Sequence, residues 1–223
     1  MPNIVTHIAI TPKAVPYATE KAVYGSVVPD LAGMYRDFND RNFRLDDEEL
    51  SPDIRFGKML HTETDKAFDD LPETKQLVGI LSADLQSEEG RLSRGAVRAL
   101  SQVGTDILLD GEVMKSEEVA DLFLRIRRSV LAGKFMIRKN LAKSPVDDTA
   151  EEYFKGGLPE RYQDPEFVAE LMHKRLASRG SASLTFDRSE TEYVAYMFER
   201  QAERLKKAAG LLVEKTVEQV YAF

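Results

Sequence analysis

Residues 57–72 read GKMLHTETDKAFDDLP, a histidine followed at four-residue intervals by two carboxylates and then by a proline. Residues four apart share one face of a helix, so His61, Asp65 and Asp69 are predicted to form a single stripe. Just upstream, residues 51–53 supply a cap, a first-turn proline and a favourable acid for the start of that helix. Such a stripe is typical of either a metal half-site or a solvated acidic face.

Helical patterns dominate the rest of the chain, where apolar residues recur at helical spacing between caps, prolines and glycines. Besides the helix that carries the motif and one that begins at Pro72, helices are predicted over residues 92–114, 116–141, 164–180 and 189–220. Pro29 is interpreted as part of a helix start, and residues 144–148 and 155–165 as loops. Residues 181–186 favour a strand, but a single strand has no partner. The sequence therefore predicts one all-α domain over residues 1–223, a helical bundle.

The composition excludes several classes of protein. The 223 residues include no cysteine, which rules out disulfides and thiolate metal sites. His7, His61 and His173 supply all the imidazoles, and this scarcity favours oxygen-rich coordination of Mn²⁺, Mg²⁺ or Fe²⁺ over structural zinc. The net charge of −7 disfavours nucleic-acid binding by the whole surface. With no signal-peptide pattern and no long apolar run, we expect a soluble cytoplasmic protein that does not enter the membrane.

Several ionisable residues lie in apolar segments, where a charge is costly to bury without compensation. They are His7, Asp30, His61, Asp65, Asp106 and Asp110. Each alone has an ordinary interpretation: a surface pair, a hydrogen-bonded core histidine, a helix-start device or a solvated stripe. Together, two imidazoles and three carboxylates would carry a charge of about −3, which requires one or two divalent cations in a partly dry pocket.

Six short motifs follow one another in order along the chain. They are NIVTH with His7, GSVVPD with Asp30, the stretch 57–72, the helix position of Asp106, ERYQDPEF with Arg161, and LASRG with Arg179. This order resembles the acyl-carrier-protein phosphodiesterase family, a divergent relative of the HD-domain metal phosphohydrolases, over nearly the whole chain. The resemblance implies an HD-domain-like bundle.

The resemblance also implies a mechanism. The implied metal ligands are His7, Asp30, His61, Asp65 and Asp106. A metal-activated water would attack phosphorus, with Asp65 as a catalytic residue beside the metal, while Arg179 and Arg161 stabilise the developing charge. Asp69 and Asp110 are expected to orient ligands from outside the coordination sphere. The implied reaction is release of 4'-phosphopantetheine from holo acyl carrier protein, or hydrolysis of a related phosphoester.

Residues 122–146 contain seven basic residues and no acidic one, a local reversal of sign in an acidic protein. Such a segment would steer an acidic partner such as acyl carrier protein, or a phosphorylated small molecule, toward the site. The alternative is a solvated face that balances acidic neighbours. The predicted partner-binding residues are Arg125, Arg127, Arg128, Lys134, Arg138 and Lys139.

Two departures from the family pattern keep other functions open. Ile107 stands where family members usually have a histidine, and Met59 stands where some carry another. One alternative is therefore a catalytically degenerate helical binding or regulatory protein, and another is oxidative chemistry by a di-iron centre on the same scaffold. The apolar face of the last predicted helix fits packing within the chain or against a second copy in a homo-oligomer.

Overall fold

A computed structural model of the chain describes residues 4–40, 42–86, 92–138, 140, 143–178 and 187–221. Its helices are α1 (Ile4–Ala14), α2 (Glu20–Phe38), α3 (Pro52–Asp70), α4 (Pro72–Gln86), α5 (Arg94–Val113), α6 (Glu117–Leu131), α7 (Pro145–Lys155), α8 (Leu158–Arg161), α9 (Pro165–Ser178) and α10 (Arg188–Tyr221). The all-α prediction is confirmed. The strand predicted at 181–186 lies outside the described residues.

The ends of the long helices follow local sequence. Pro52 and Pro72 occupy the first positions of α3 and α4, where a missing N–H costs nothing. Pro72 also disfavours helical geometry at Leu71, which explains why α3 stops just before it. The Ser93 hydroxyl accepts a hydrogen bond of 3.1 Å from the Ala96 N–H at the start of α5.

Helix α6 is shorter than predicted, and two predicted loops contain helices. The chain leaves α6 at Leu131 because Gly133 adopts a left-handed conformation with φ of 66°. Residues 144–148 begin α7, where the side chains of Ser144 and Asp147 each accept a hydrogen bond from the other's backbone N–H. Residues 155–165 include the single turn of α8.

Pro29 lies inside α2 and not at a helix start, which corrects the interpretation of the stretch around Asp30. The helix begins nine residues earlier, after Thr19, whose side chain accepts a hydrogen bond from the Ala22 N–H. Proline has no N–H, so it cannot donate to the carbonyl of Gly25 one turn before it. The consequence for the site is that Asp30 enters the middle of a packed helix, where it is 3% exposed.

Helix α1 forms the centre of the arrangement. It packs against α2, α3, α5, α6 and α10. Most of its side chains are buried, which leaves His7 surrounded by protein. The core is continuous with this helix and contains Ile107, which is 1% exposed. None of the described helices combines the length and the apolar character needed to cross a bilayer.

Candidate metal centre

The site depends on a close crossing of α2 and α3 at two glycines. A Cβ atom on Gly57 would lie 2.1 Å from the carbonyl oxygen of Ala22, and one on Gly25 would lie 2.8 Å from the Cα of Ile54. Real Cβ atoms do not approach backbone this closely, so only glycine allows the two helices to meet at this distance. The glycine of the 57–72 motif therefore has a packing role that places the histidine one turn later.

The crossing brings the Ser26 carbonyl oxygen of α2 to the imidazole of His61 on α3, 2.8 Å from Nδ1. A carbonyl oxygen can only accept a hydrogen bond, so Nδ1 of His61 must carry the proton that it donates. The ring is thereby turned so that Nε2 faces the interior of the site. Metal-binding histidines in proteins are held in this way by a second contact on the ring nitrogen that does not bind the metal.

His7 and Asp30 complete a buried group with His61. The two imidazole rings are tilted against each other with centroids 4.2 Å apart. His7 Nε2 lies 3.8 Å from Asp30 Oδ2, and one potential ligand atom from each of the three residues lies within 4.8 Å of the others. All three side chains are buried. The sequence places these residues in three separate helices, and the structure brings them together at a distance that can hold a metal ion.

Asp65 contacts both histidines. Its Oδ1 lies 3.0 Å from His7 Nε2, and its Oδ2 lies 3.1 Å from His61 Nε2. The Asp65 side chain is 38% exposed, whereas the His7 side chain is 1% exposed. Asp65 therefore forms the edge of the cluster that faces solvent, and a ligand that reaches the histidines from outside meets this carboxylate.

The two histidines differ in electrostatic environment. Burial and the neighbouring imidazole of His61 lower the pKa of His7 by more than the carboxylates of Asp65 and Asp30 raise it. Burial also acts to lower the pKa of His61, but contact with Asp65 and the charge of Asp30 outweigh it, so this pKa is raised. Burial opposes ionisation of Asp65 as well, yet the two imidazoles hold the pKa of its carboxyl well below the usual range.

Buried polar atoms without protein partners test whether these residues suit a metal. Within the described part of the chain, three atoms of the cluster make no hydrogen bond of acceptable geometry: Nδ1 and Nε2 of His7, and Oδ2 of Asp30. The Nε2 atom does lie close to Asp65. Leaving such atoms unsatisfied costs free energy, whereas coordination to a cation would satisfy Nε2 and Oδ2 together. The donor set of two imidazoles and carboxylate oxygens thus fits a divalent metal ion.

The other predicted carboxylates lie around this cluster. Asp106 is partly buried on α5, where burial and the charges of Asp69, Asp30 and Asp65 raise its pKa to about 7. Asp69 lies one turn beyond Asp65 on an exposed part of α3. Partial desolvation of its carboxyl, together with the charges of Asp65 and Asp70, raises its pKa. Their roles as ligand and as orienting residue stay predictions.

The two predicted catalytic arginines are not both described. Arg161 is exposed at the end of α8, with its guanidinium carbon 3.7 Å from the ring centroid of Phe167. This cation–π contact gives the side chain a structural partner on α9. Arg179 lies outside the described residues, so its predicted role is not addressed by the structure.

Three of the six basic residues predicted to bind a partner form ion pairs within the protein. Arg125 contacts Glu20 at 3.3 Å, Arg127 contacts Glu160 at 3.2 Å, and Arg138 contacts Glu49 at 2.9 Å. Arg128 donates to the Leu124 carbonyl oxygen of its own helix, and Lys134 is exposed. Lys139 lies outside the described residues. The surface charge of this segment is therefore partly neutralised, as its alternative interpretation expects.

The third histidine lies in a different place. His173 lines a surface cavity of about 880 Å³ between α9 and α10, together with Asp164, Glu166, Glu170, Lys174, Glu192, Tyr196 and Glu199 among others. None of the residues of the buried cluster lines this cavity. The two other histidines thus meet away from this cavity.

Sequence reasoning missed two residues that shape the site. Ser26 acts through its backbone carbonyl, which no side-chain pattern reveals. Thr6 precedes His7 and hydrogen-bonds to Asp110 across the bundle. Its position next to a candidate ligand was the one available signal.

Comparison with known proteins adds no assignment: no family model, no curated protein and no solved structure matches the chain. The resemblance to acyl-carrier-protein phosphodiesterases therefore rests on the order of the motifs.

Proposed function

We propose that the protein is a metal-dependent phosphoester hydrolase whose substrate is holo acyl carrier protein or a related phosphoester. The observation that carries this proposal is the buried group of His7, Asp30 and His61, whose potential ligand atoms converge. Among them, Nε2 of His7 and Oδ2 of Asp30 make no hydrogen bond of acceptable geometry. The motif order supports the reaction class, and the structure supports the metal site on which that class depends.

The metal we expect is Mn²⁺, Mg²⁺ or Fe²⁺. Carboxylate oxygens suit Mn²⁺ and Mg²⁺, and imidazole nitrogens suit Fe²⁺, so a mixed set favours Mn²⁺ or Fe²⁺ within this group. When bound, a divalent cation supplies Lewis-acid activation of a water and of a phosphoryl oxygen. The ligands proposed for it are His7, Asp30 and His61, with Asp65 and Asp106 as further oxygen donors.

The chain's own residues would prepare the site in two ways. Ser26 fixes the ring of His61 so that Nε2 is presented to a cation, and this nitrogen must lose its proton to bind. Asp65 lies at the exposed edge, where it can position the attacking water. The phosphoester would approach from this edge because the other three side chains are buried.

The test compares His61→Ala with His173→Ala, which removes the histidine outside the cluster. Each purified protein is stripped of metal, reconstituted with Mn²⁺ or Fe²⁺, and measured for bound metal by elemental analysis. Turnover is followed by mass spectrometry of the conversion of holo to apo acyl carrier protein, and with bis-p-nitrophenyl phosphate as a generic substrate. Circular dichroism establishes that both variants are folded.

We expect wild type and His173→Ala to hold metal and to turn over at similar rates, and His61→Ala to lose both properties. Equal metal content in wild type and His61→Ala would end the proposal. Metal binding without cleavage of either substrate would favour the degenerate binding protein, for which the aliphatic Ile107 in the core is the supporting feature.

A second candidate is oxidative chemistry at iron. Two histidines and one carboxylate with open positions form the ligand set of non-haem Fe(II) oxygenases, and His7, His61 and Asp30 offer these donor types. Oxygen uptake by the iron-loaded protein in the presence of a reductant would support this candidate, and its absence would dismiss it.

A further inference from the structure

Asp110 on α5 is a carboxylate with 0% exposure that binds the first turn of α1. Its Oδ2 accepts a hydrogen bond of 3.1 Å from the Val5 N–H, and its Oδ1 accepts bonds of 2.8 Å from the N–H and from the hydroxyl of Thr6. Burial raises the pKa of this carboxyl despite these three donors. The contact joins helices that are more than a hundred residues apart in sequence.

These donors are the ones that a helix leaves unsatisfied. The first N–H groups of α1 have no carbonyl partner within the helix, and they are normally capped by a residue just before it. Here Asp110 supplies the acceptor from another helix, and a carboxylate at this end is also favoured by the helix dipole. Asp110 therefore fixes the first turn of α1 against α5, one residue before His7.

The two histidines of the cluster differ in what holds their rings. The ring of His61 is oriented by the Ser26 carbonyl oxygen at Nδ1. The Nδ1 of His7 has no hydrogen-bond partner among the described residues. Since no described residue bonds to Nδ1, the placement of His7 rests on the contact of its Nε2 with Asp65 at 3.0 Å, on the neighbouring His61 ring and on the backbone of α1, which Asp110 holds in position.

We infer that Asp110, with Thr6, is a positioning residue that presents His7 to the metal. This inference rests on the proposed metal-dependent function and adds to it a device for placing one ligand. Loss of a residue that bonds directly to a metal-binding histidine typically changes metal affinity by about 10- to 100-fold, and we expect an effect of this order when the backbone that carries the ligand is released.

The test uses Asp110→Asn, Thr6→Val and Thr6→Ser in the full chain. Asparagine has one acceptor oxygen, so its amide group would face an N–H that needs an acceptor. Valine removes only the hydroxyl contact at nearly constant shape, and serine restores it. Asp147→Asn is the matched control because Asp147 is also a buried carboxylate that accepts N–H groups, from Ser144 at 2.7 Å and from Ile137 at 3.2 Å, but at the start of α7.

The measurements are the Mn²⁺ dissociation constant by calorimetry, the visible absorption of the Co²⁺-loaded protein, and the ¹⁵N resonances of the His7 ring. We expect Asp110→Asn to weaken Mn²⁺ binding about 10- to 100-fold, Thr6→Val to weaken it less, and Thr6→Ser and Asp147→Asn to bind as wild type does. The Co²⁺ spectrum and the His7 resonances should change in Asp110→Asn and not in the control, since general destabilisation would not alter them selectively.

The outcomes separate this inference from the proposed function. If wild type binds no Mn²⁺, the proposed hydrolase fails and the inference fails with it. If wild type binds Mn²⁺ and folded Asp110→Asn binds it equally well, with unchanged His7 resonances, the inference alone is overturned. If Asp110→Asn does not fold, the comparison of Thr6→Val with Thr6→Ser decides: equal affinities overturn the inference, and weaker binding by valine alone supports it.

Discussion

Histidine and carboxylates meet in two regions of this molecule, and the regions differ in how far their carboxylates are exposed. At the crossing of α1, α2 and α3, His7, Asp30 and His61 are buried and leave polar atoms without protein partners. In the cavity of about 880 Å³ between α9 and α10, His173 lies among carboxylates such as Glu170 that face solvent. Water can satisfy the exposed carboxylates of the second set, whereas a cation could satisfy the buried atoms of the first set. The difference teaches that burial, and not residue type, distinguishes a candidate metal centre here.

The largest expected effect comes from breaking the helix crossing on which the buried region depends. Gly57→Ala places a methyl group 2.1 Å from the Ala22 carbonyl oxygen, so α3 must move away from α2. We expect a loss of about 1–3 kcal/mol in the free energy of unfolding, measured by chemical denaturation, together with weaker Mn²⁺ binding.

Gly210→Ala is the control for this change, because a Cβ atom at Gly210 on α10 meets no atom within 4 Å. It should stabilise the protein by about 0.5–1 kcal/mol through helix propensity, and it should leave metal binding unchanged. If Gly57→Ala behaves like Gly210→Ala, the close crossing does not build the site.

A change of pH is expected to have an intermediate effect on stability. It sharpens the comparison because it measures the free-energy cost of ionising the Asp106 carboxyl near the buried region. Asp106 has an ordinary pKa of 3.8 that rises to about 7 in the folded protein. A raised folded pKa gives a stabilising contribution that is complete below pH 3.8 and is lost as the pH rises through about 7.

In the metal-free protein, the free energy of unfolding should therefore fall by up to about 1.4 kcal/mol per pH unit across this window because of Asp106. Asp106→Asn should lack that fall. Denaturation of both proteins in chelator at several pH values gives the difference between them. Two parallel pH curves would show that Asp106 lies in a more hydrated place than the structure gives.

The smallest effect is expected in the cavity between α9 and α10. Glu170 is exposed, so Glu170→Gln should change the free energy of unfolding by less than about 0.5 kcal/mol. Its bound Mn²⁺, measured by elemental analysis, should equal that of wild type. Loss of metal from this variant would place a metal site in the cavity and reverse the comparison.

Much of the helical framework could be predicted from the sequence, because periodicity and caps are local. Helices α3, α5 and α10 lie close to their predicted bounds. Two of the errors involve prolines: Pro29 lies inside α2 and not at a helix start, and Pro145, which belongs to a predicted loop, follows the cap Ser144 and begins α7. Proline permits either assignment, and tertiary context decides between them.

The three members of the buried group are among the five ligands predicted from the sequence, but their geometry is not predictable from it. His7, Asp30 and His61 were selected because polar residues in apolar segments need partners, and the structure brings them together. The Ser26 carbonyl contact and the close approach at Gly25 depend on how two helices cross, which local pattern does not encode. The anchoring of α1 by Asp110 likewise depends on a contact between distant parts of the chain.

The ion pairs of the basic segment have a consequence for the kinetics of association. Since Arg125, Arg127 and Arg138 each lie beside a glutamate, their fields largely cancel beyond a Debye length of about 8 Å at physiological ionic strength. Encounter with an acidic protein would then be accelerated by the remaining cations, such as Lys134, and not by the whole segment. The encounter rate should therefore decline less steeply with added salt than it would if all seven basic residues of the segment were unpaired.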